Sequence, residues 1–441
     1  MQFVDNSADA AERISCVIAS TVRFPPWGAS VVLSFVGYHL AIGFSHILLF
    51  FDDIEDKAID LVLESFSSTQ VTVIKKDDAL LDSWKSCPSY PVLKDIVASK
   101  VHARQRLNCE VALKLALDRG DNWLVHLDSD ELFHTSAGCV EQHFRELNRR
   151  NILQMTYLNH EGVPEGEPGA GGIDYFAETT LFRRHHTIVS MSHEARECMK
   201  VWQQRRTHGQ YFLAYDIGKT AVRVLPGVFT ESVHKFTLPK IPDGKKSCTA
   251  IIDPRNFDMS RYCQMEDPCI LHYVVCGLPW YRSKYDMLGQ FSNAWYDGKV
   301  PIAPSFHLDS RDLIRGSDDL NIQKFYQQQV MLNMAPPELD KMISSGVCIR
   351  IEKPSQILQK MAPKKRMYSS PLPPVQSATA KGGEGGSPSS TVAGVDSDSV
   401  AASAKKELQK MFSKNCKERE GGPGLTYDKA WMIASSVKKF L

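Results

Sequence analysis

Five short apolar runs alternate with helical stretches through the first 160 residues, and no other feature of the chain narrows its fold as far. The runs Ile14–Val22, His46–Phe51, Val71–Lys75, Trp123–Leu127 and Ile152–Leu158 read as buried strands. Between them Ser30–Ile42, Asp56–Phe66, Val101–Asp118 and Val140–Arg149 show helical spacing. The third of these is the clearest, with Leu107, Val111 and Leu115 on one face and Gly120 to end it. Successive β-α units pack as a parallel sheet with helices on both faces, because each crossover returns the chain to the same sheet edge. The expected fold class is α/β: a single Rossmann-like, mostly parallel sheet flanked by helices.

The fourth run leads into Asp128-Ser-Asp130-Glu131. The carboxyl ends of strands are where open α/β sheets bind ligands, and Asp52-Asp53 ends the second run at the same edge. Two carboxylates separated by one residue offer hard oxygen donors to a divalent cation such as Mn²⁺ or Mg²⁺. A cation there suits the neutralisation of a departing diphosphate. The competing reading is that Asp130-Glu131 caps a following helix and Asp53 the helix beginning near Asp56.

Lys plus Arg (52) balances Asp plus Glu (51), so no overall field argues for a nucleic-acid partner. The 11 cysteines are scattered without metal-ligand spacing and read as mostly free, buried thiols; a disulfide stays open among Cys263, Cys269 and Cys276. Ser30–Phe51 is uncharged and long enough to resemble a membrane span. Gly43 divides it, however, and His39 and His46 lie inside it. A helix ending at Gly43 and a buried strand after it are expected instead, so no membrane span is expected. No signal peptide is visible. As given, the chain suits the cytoplasm, and a Golgi location would follow if an N-terminal anchor precedes Met1.

Gly162–Gly172 reads as a loop crossing the functional edge. Residues 173–300, dense in His, Arg and aromatics, are expected to close the site as a mixed acceptor region, and Asn321–Asn333 is the last clear helix. From about Ala362 Lys, Pro, Ser, Gly and Ala dominate, a composition unable to bury a core. The expected boundaries are 1–345 for the folded domain, in halves 14–160 and 161–345, then a low-complexity linker 346–403 and a loosely ordered tail 404–441 with short helices.

Over roughly residues 14–290 the chain resembles the family 2-like and family 92-like glycosyltransferases of the GT-A fold. The resemblance rests first on Tyr38-His-Leu-Ala-Ile-Gly43-Phe-Ser-His46 and the strand to Asp52-Asp53, then on Asn122-Trp123-Leu-Val-His-Leu-Asp128-Ser-Asp130-Glu131. Asn159-His160-Glu161-Gly-Val-Pro164, Gly218-Lys219-Thr-Ala-Val-Arg223, Val233-His234-Lys235-Phe236 and Ile270-Leu271-His272-Tyr273 follow in order.

The resemblance implies a metal-dependent, inverting transfer from a nucleotide-sugar, with a UDP-sugar as the expected donor and a glycan, glycoprotein or small-molecule hydroxyl as acceptor. In that frame Asp128 faces ribose and metal and Asp130 binds the metal. A late histidine, His234 or in reserve His272, completes the ligands. Lys219 and Arg223 are expected to face the diphosphate, and Asp52 or Asp53 the base or ribose. Glu161, then Glu178, is the expected general base. Trp202, Tyr211, Trp280, Tyr281 and Trp295 are candidate sugar platforms. Each has a structural alternative: a helix cap, a core imidazole, a surface ion pair, a solvated loop acid or a core ring. Two other classes stay open. A nucleotidyltransferase would need a basic Gly-rich phosphate loop, and none precedes Asp52. A non-catalytic sugar- or nucleotide-binding scaffold would bind without turnover.

Overall fold

The computed structural model describes residues 13–137, 139–166, 174–190, 192–239, 267–289, 291–295, 300–302, 305–331 and 334–361. The linker and tail helices expected beyond Ala362, and Cys263, lie outside these residues. The alternating runs form β1 (Cys16–Val22), β2 (His46–Phe51), β3 (Val71–Lys75) and β4 (Trp123–His126), parallel neighbours in the order β3-β2-β1-β4. Both faces of this sheet are buried. Ile18, Ile47 and Leu49 pack in one core with the helix Val31–Ala41; Val17, Ala19, Leu48 and Phe50 pack in another with the helix Val101–Asp118. The α/β class, with a parallel-rich sheet between helices, is as expected.

The chain continues through β5 (Glu131–His134), β6 (Gln154–Tyr157), β7 (Asn159–Gly162), β8 (Leu181–Arg183) and β9 (Lys219–Arg223). The fifth expected strand is β6, but it does not lie beside β4. Instead β9 inserts between them, antiparallel to both. A hairpin of β10 (Phe229–Thr230) and β11 (Phe236–Thr237) follows, then β12 (Cys269–His272), a second hairpin of β13 (Ala294–Trp295) and β14 (Val300–Pro301), and β15 (Cys348–Arg350). A second, five-stranded sheet runs β15-β8-β7-β12-β5. Its strands of three or four residues, one of them the polar Asn159-His160-Glu161-Gly162, carry no alternation that a sequence pattern would register.

Gly43 adopts φ +105° between the helix Val31–Ala41 and β2, which divides the long apolar run. Among the described residues no helix is long and apolar enough to cross a membrane. The folded part extends past the expected boundary at 345. There β15 joins the second sheet, and the helix Lys353–Met361 buries Leu358 in the main core. The helix expected at Asn321–Asn333 is Asp319–Tyr326, continued by a π-helical turn at Gln327–Met331. Cys269 and Cys276 are not joined in a disulfide.

Candidate active site

Asp128-Ser-Asp130 is the crossing point between the two sheets, since β4 belongs to the first and β5 to the second. The pair therefore caps no helix. Its turn closes on itself: the Glu131 N–H donates to the Asp128 carbonyl (3.1 Å), and the Asp128 N–H to Glu131 Oε2 (2.8 Å). Pairing of β12 with β5 and β7 then sets His272 opposite both Glu131 and Glu161. That register leaves His272 Nε2 3.8 Å from Asp130 Oδ2.

A cleft of about 690 Å³ opens at this edge, lined by residues at the carboxyl ends of β1, β2 and β4, the start of the helix Val101–Asp118 and the helix Leu278–Leu288. Asp52, Asp128, Asp130, His234 and His272 line it. Asp53, Glu161, Glu178, Lys219 and Arg223 are not among its lining residues.

Every cleft carboxylate is already matched by a cation. Asp128 accepts from Gln105 Nε2 on Oδ1 (2.6 Å) and from Lys219 Nζ on Oδ2 (2.7 Å). Burial acts to raise its pKa, but the Lys219 ammonium and its neighbours prevail and hold it at about 2. Asp130 Oδ2 accepts from Lys284 Nζ at 2.8 Å. Burial again opposes ionisation, and Lys284 with His272 outweighs it, so this carboxyl stays well below the usual range. Asp52 forms a two-point pair with Arg104 (2.6 and 2.7 Å) and meets Lys76 at 3.2 Å. Its pKa is lowered too, because those two cations overcome the effect of burial.

Burial, with Lys219 second, depresses His234 to about 3, so its imidazole is neutral at pH 7. Nδ1 lies 2.8 Å from the Gly218 carbonyl, which only accepts; the proton is therefore on Nδ1 and the lone pair on Nε2. His272 is also lowered, by burial first and against the pull of Asp130. The Tyr215 ring lies between the two imidazoles, 4.4 Å from His234 and 4.8 Å from His272. Among the described residues no three His, Cys, Asp or Glu side chains converge to hold an ion.

Several expected site residues lie outside the cleft lining. Glu161 is fully buried, takes the N–H groups of Leu213 (2.8 Å) and Ala214 (3.0 Å), and pairs with the buried Arg183. Such a saturated carboxylate has no oxygen to offer a substrate. Glu178 is exposed at the end of the short helix Tyr175–Glu178, outside the cleft lining. Lys219 is buried between Asp128 and Glu131 (2.7 and 3.5 Å), beneath the cleft rather than in it. Arg223 pairs in register with Trp123, at the amino end of β4. Since β9 is antiparallel to β4, that places it about 14 Å along the strand from Lys219. Asp53 is half-buried and closes a local turn on the Glu55 N–H (3.1 Å). Of the candidate platforms, Trp280 lines the cleft. Trp202, Tyr211 and Tyr281 are buried, Trp202 under the Arg183 guanidinium at 4.3 Å.

Among the cleft residues that were not anticipated are Arg104, Gln105 and Lys284. Arg104 and Gln105 stand at the start of an apolar helix, where charged and polar side chains cluster in Lys100-Val-His-Ala-Arg104-Gln105-Arg106. Lys284 has no comparable signal, being one of several polar residues in an aromatic helix.

No family model matches the chain. A protein of Arabidopsis thaliana named glycosyltransferase-like At2g41451 is 23% identical over 372 residues, spanning 81% of this chain and 74% of its own length. A second from the same plant, glycosyltransferase-like At3g57200, is 25% identical over 375 residues, spanning 81% of this chain and 65% of its own. Among solved structures, core-mannan synthase A from Aspergillus fumigatus in its Mn/GDP form matches 37% of this chain and 46% of its own. That likeness has 15% identity and a TM-score of 0.24, too slight to bear on this chain.

Proposed function

We propose that this chain is a glycosyltransferase moving a sugar from a nucleotide-sugar, UDP-sugars being the first candidates, to a hydroxyl acceptor. The observation that carries the reading is the locked Asp128–Asp130 turn at the ligand-binding edge of a parallel sheet, with the His272 imidazole 3.8 Å from Asp130. Two relatives named glycosyltransferase-like, each matched along 81% of this chain, support the reaction class.

A divalent ion fits the donor set. Asp130 and His272 combine a hard oxygen with an imidazole, a pairing better suited to Mn²⁺ than Mg²⁺. Two side chains are enough where nucleotide phosphates and water complete the shell. The Lys284 ammonium on Asp130 Oδ2 marks the position as one for positive charge. Asp128 and His234, both in the cleft lining, are the reserve donors. When bound, the ion would supply charge to the diphosphate oxygens as the anomeric C–O bond breaks.

The chain's own residues do the positioning. Gln105 and Lys219 fix the Asp128 carboxylate, which suits it to accept from a ribose hydroxyl. Asp52 holds Arg104 at the cleft wall, where its guanidinium adds to the positive charge facing a nucleotide. Trp280 and Tyr175, largely buried and packed edge to face at 5.0 Å, form apolar wall of the cleft where a sugar would sit. Glu161 and Glu178, the acids expected to serve an inverting transfer, lie outside the cleft lining.

Titration calorimetry with UDP, with and without Mn²⁺, followed by donor hydrolysis on a panel of nucleotide-sugars, tests the reading. Mn²⁺-dependent UDP binding is expected, and Asp130→Ala is expected to lose hydrolysis at least about 100-fold with an unchanged circular dichroism spectrum. Full activity in that variant would sink the site. UDP binding without turnover of any donor would favour the scaffold, and pyrophosphate release from a nucleoside triphosphate the nucleotidyltransferase.

A further inference from the structure

Two ammonium groups neutralise the Asp128–Asp130 pair, and they differ in one respect. Lys219 has no exposed side-chain surface and lies between two carboxylates, Asp128 and Glu131. Lys284 comes from across the cleft, on the helix Leu278–Leu288, and keeps 30% of its side chain exposed. It is held by two contacts, Asp130 Oδ2 at 2.8 Å and the Val274 carbonyl at 3.0 Å. Only this second ammonium has open volume to move into, and that volume is the cleft it lines.

The Asp130 oxygen that Lys284 takes is also the one 3.8 Å from His272 Nε2. A divalent ion held between Asp130 and His272 would need that oxygen, and the ammonium and the ion repel each other at such range. A nucleotide diphosphate in the cleft changes the balance, because its oxygens give a lysine ammonium a new partner. We propose that Lys284 is the resident cation of this site: it occupies Asp130 in the empty protein and yields it to a divalent ion when a nucleoside diphosphate takes the ammonium. This deepens the metal reading above and rests on it. Metal and nucleotide then bind with positive coupling, each strengthening the other by the same factor.

Direct Mn²⁺ binding, read from the loss of the free aquo-ion's paramagnetic resonance signal, tests this on the whole chain. Without nucleotide, Lys284→Met is expected to bind Mn²⁺ at least tenfold more tightly than the wild type, and Lys284→Arg, which keeps the charge, to bind as weakly as the wild type. Saturating UDP is expected to close the gap between wild type and Lys284→Met to within threefold. Lys284→Gln removes the charge while retaining a donor for Asp130; it carries the same test should the methionine variant fold poorly. Equal Mn²⁺ affinity of wild type and the uncharged variants, abolished in both by Asp130→Asn, would overturn the proposal and leave Asp130 as the metal's ligand. A gap that UDP does not narrow would overturn it as well. Absence of Mn²⁺ binding in every form, UDP present, would overturn the metal reading along with it.

Discussion

Glu161 and Asp130 carry the same carboxyl group, and their neighbours set them to different work. Around Glu161 are the N–H groups of Leu213 and Ala214 and the Arg183 guanidinium, all away from solvent. It pins the segment whose Leu213, Ala214 and Tyr215 line the cleft. Asp130 keeps 21% of its side chain exposed and faces one movable ammonium. The difference is measurable. Glu161→Gln strands a buried arginine and is expected to cost about 3 kcal/mol in urea unfolding, with the proposed transfer activity of the folded protein within about twofold of the wild type in kcat. A general base would give the reverse, a kcat loss of about 100-fold or more at unchanged stability. Neither role is visible in the tripeptide Asn159-His160-Glu161, because saturation by Leu213, Ala214 and Arg183 is a property of distant backbone.

At the scale of elements, β9 decides the depth and direction of the site. It enters antiparallel between β4 and β6, so Lys219 meets Asp128 at one end while Arg223 sits beside Trp123 at the other. Gly218 makes that entry possible. Its φ is +68°, and a Cβ there would collide with the Tyr157 backbone carbonyl. Its own carbonyl accepts from His234 Nδ1 at 2.8 Å. Gly218→Ala is therefore expected to destabilise the protein by about 2–3 kcal/mol, from the left-handed backbone and the backbone clash together. It is expected to weaken UDP binding as well, since Lys219 and His234 both depend on this turn. Unfolding curves and calorimetry check the two parts; an alanine variant as stable as the wild type would refute the geometry. The motif Gly218-Lys219-Thr-Ala-Val-Arg223 was legible as a unit, but not as a reversed strand, since strand direction leaves no trace in local pattern.

Across the whole molecule several imidazoles are buried and held neutral. His39 is depressed to about 3, His143 to about 4 and His160 to about 3, each by burial above all. Their unfolded value is about 6.5, so between that and the folded value the unfolded chain binds more protons, and stability falls as pH drops through the window. Each group is expected to cost about 2 kcal/mol at pH 5 relative to pH 7. A urea midpoint unchanged between those pH values would mean the histidines are not held neutral. Taken alone, the sequence determined the β-α alternation, the parallel order's raw material, the division at Gly43, and the Asp128–Asp130 turn at a strand's carboxyl end. These are local: period, run length and glycine placement report on one element at a time. Tertiary structure alone decided that β5 leaves the first sheet for the second, that β12 brings His272 to Asp130, and that Lys284 reaches across to the same carboxylate. Those contacts join residues far apart in the chain, and charge pairing across a cleft depends on where backbones come to rest rather than on any repeat within them.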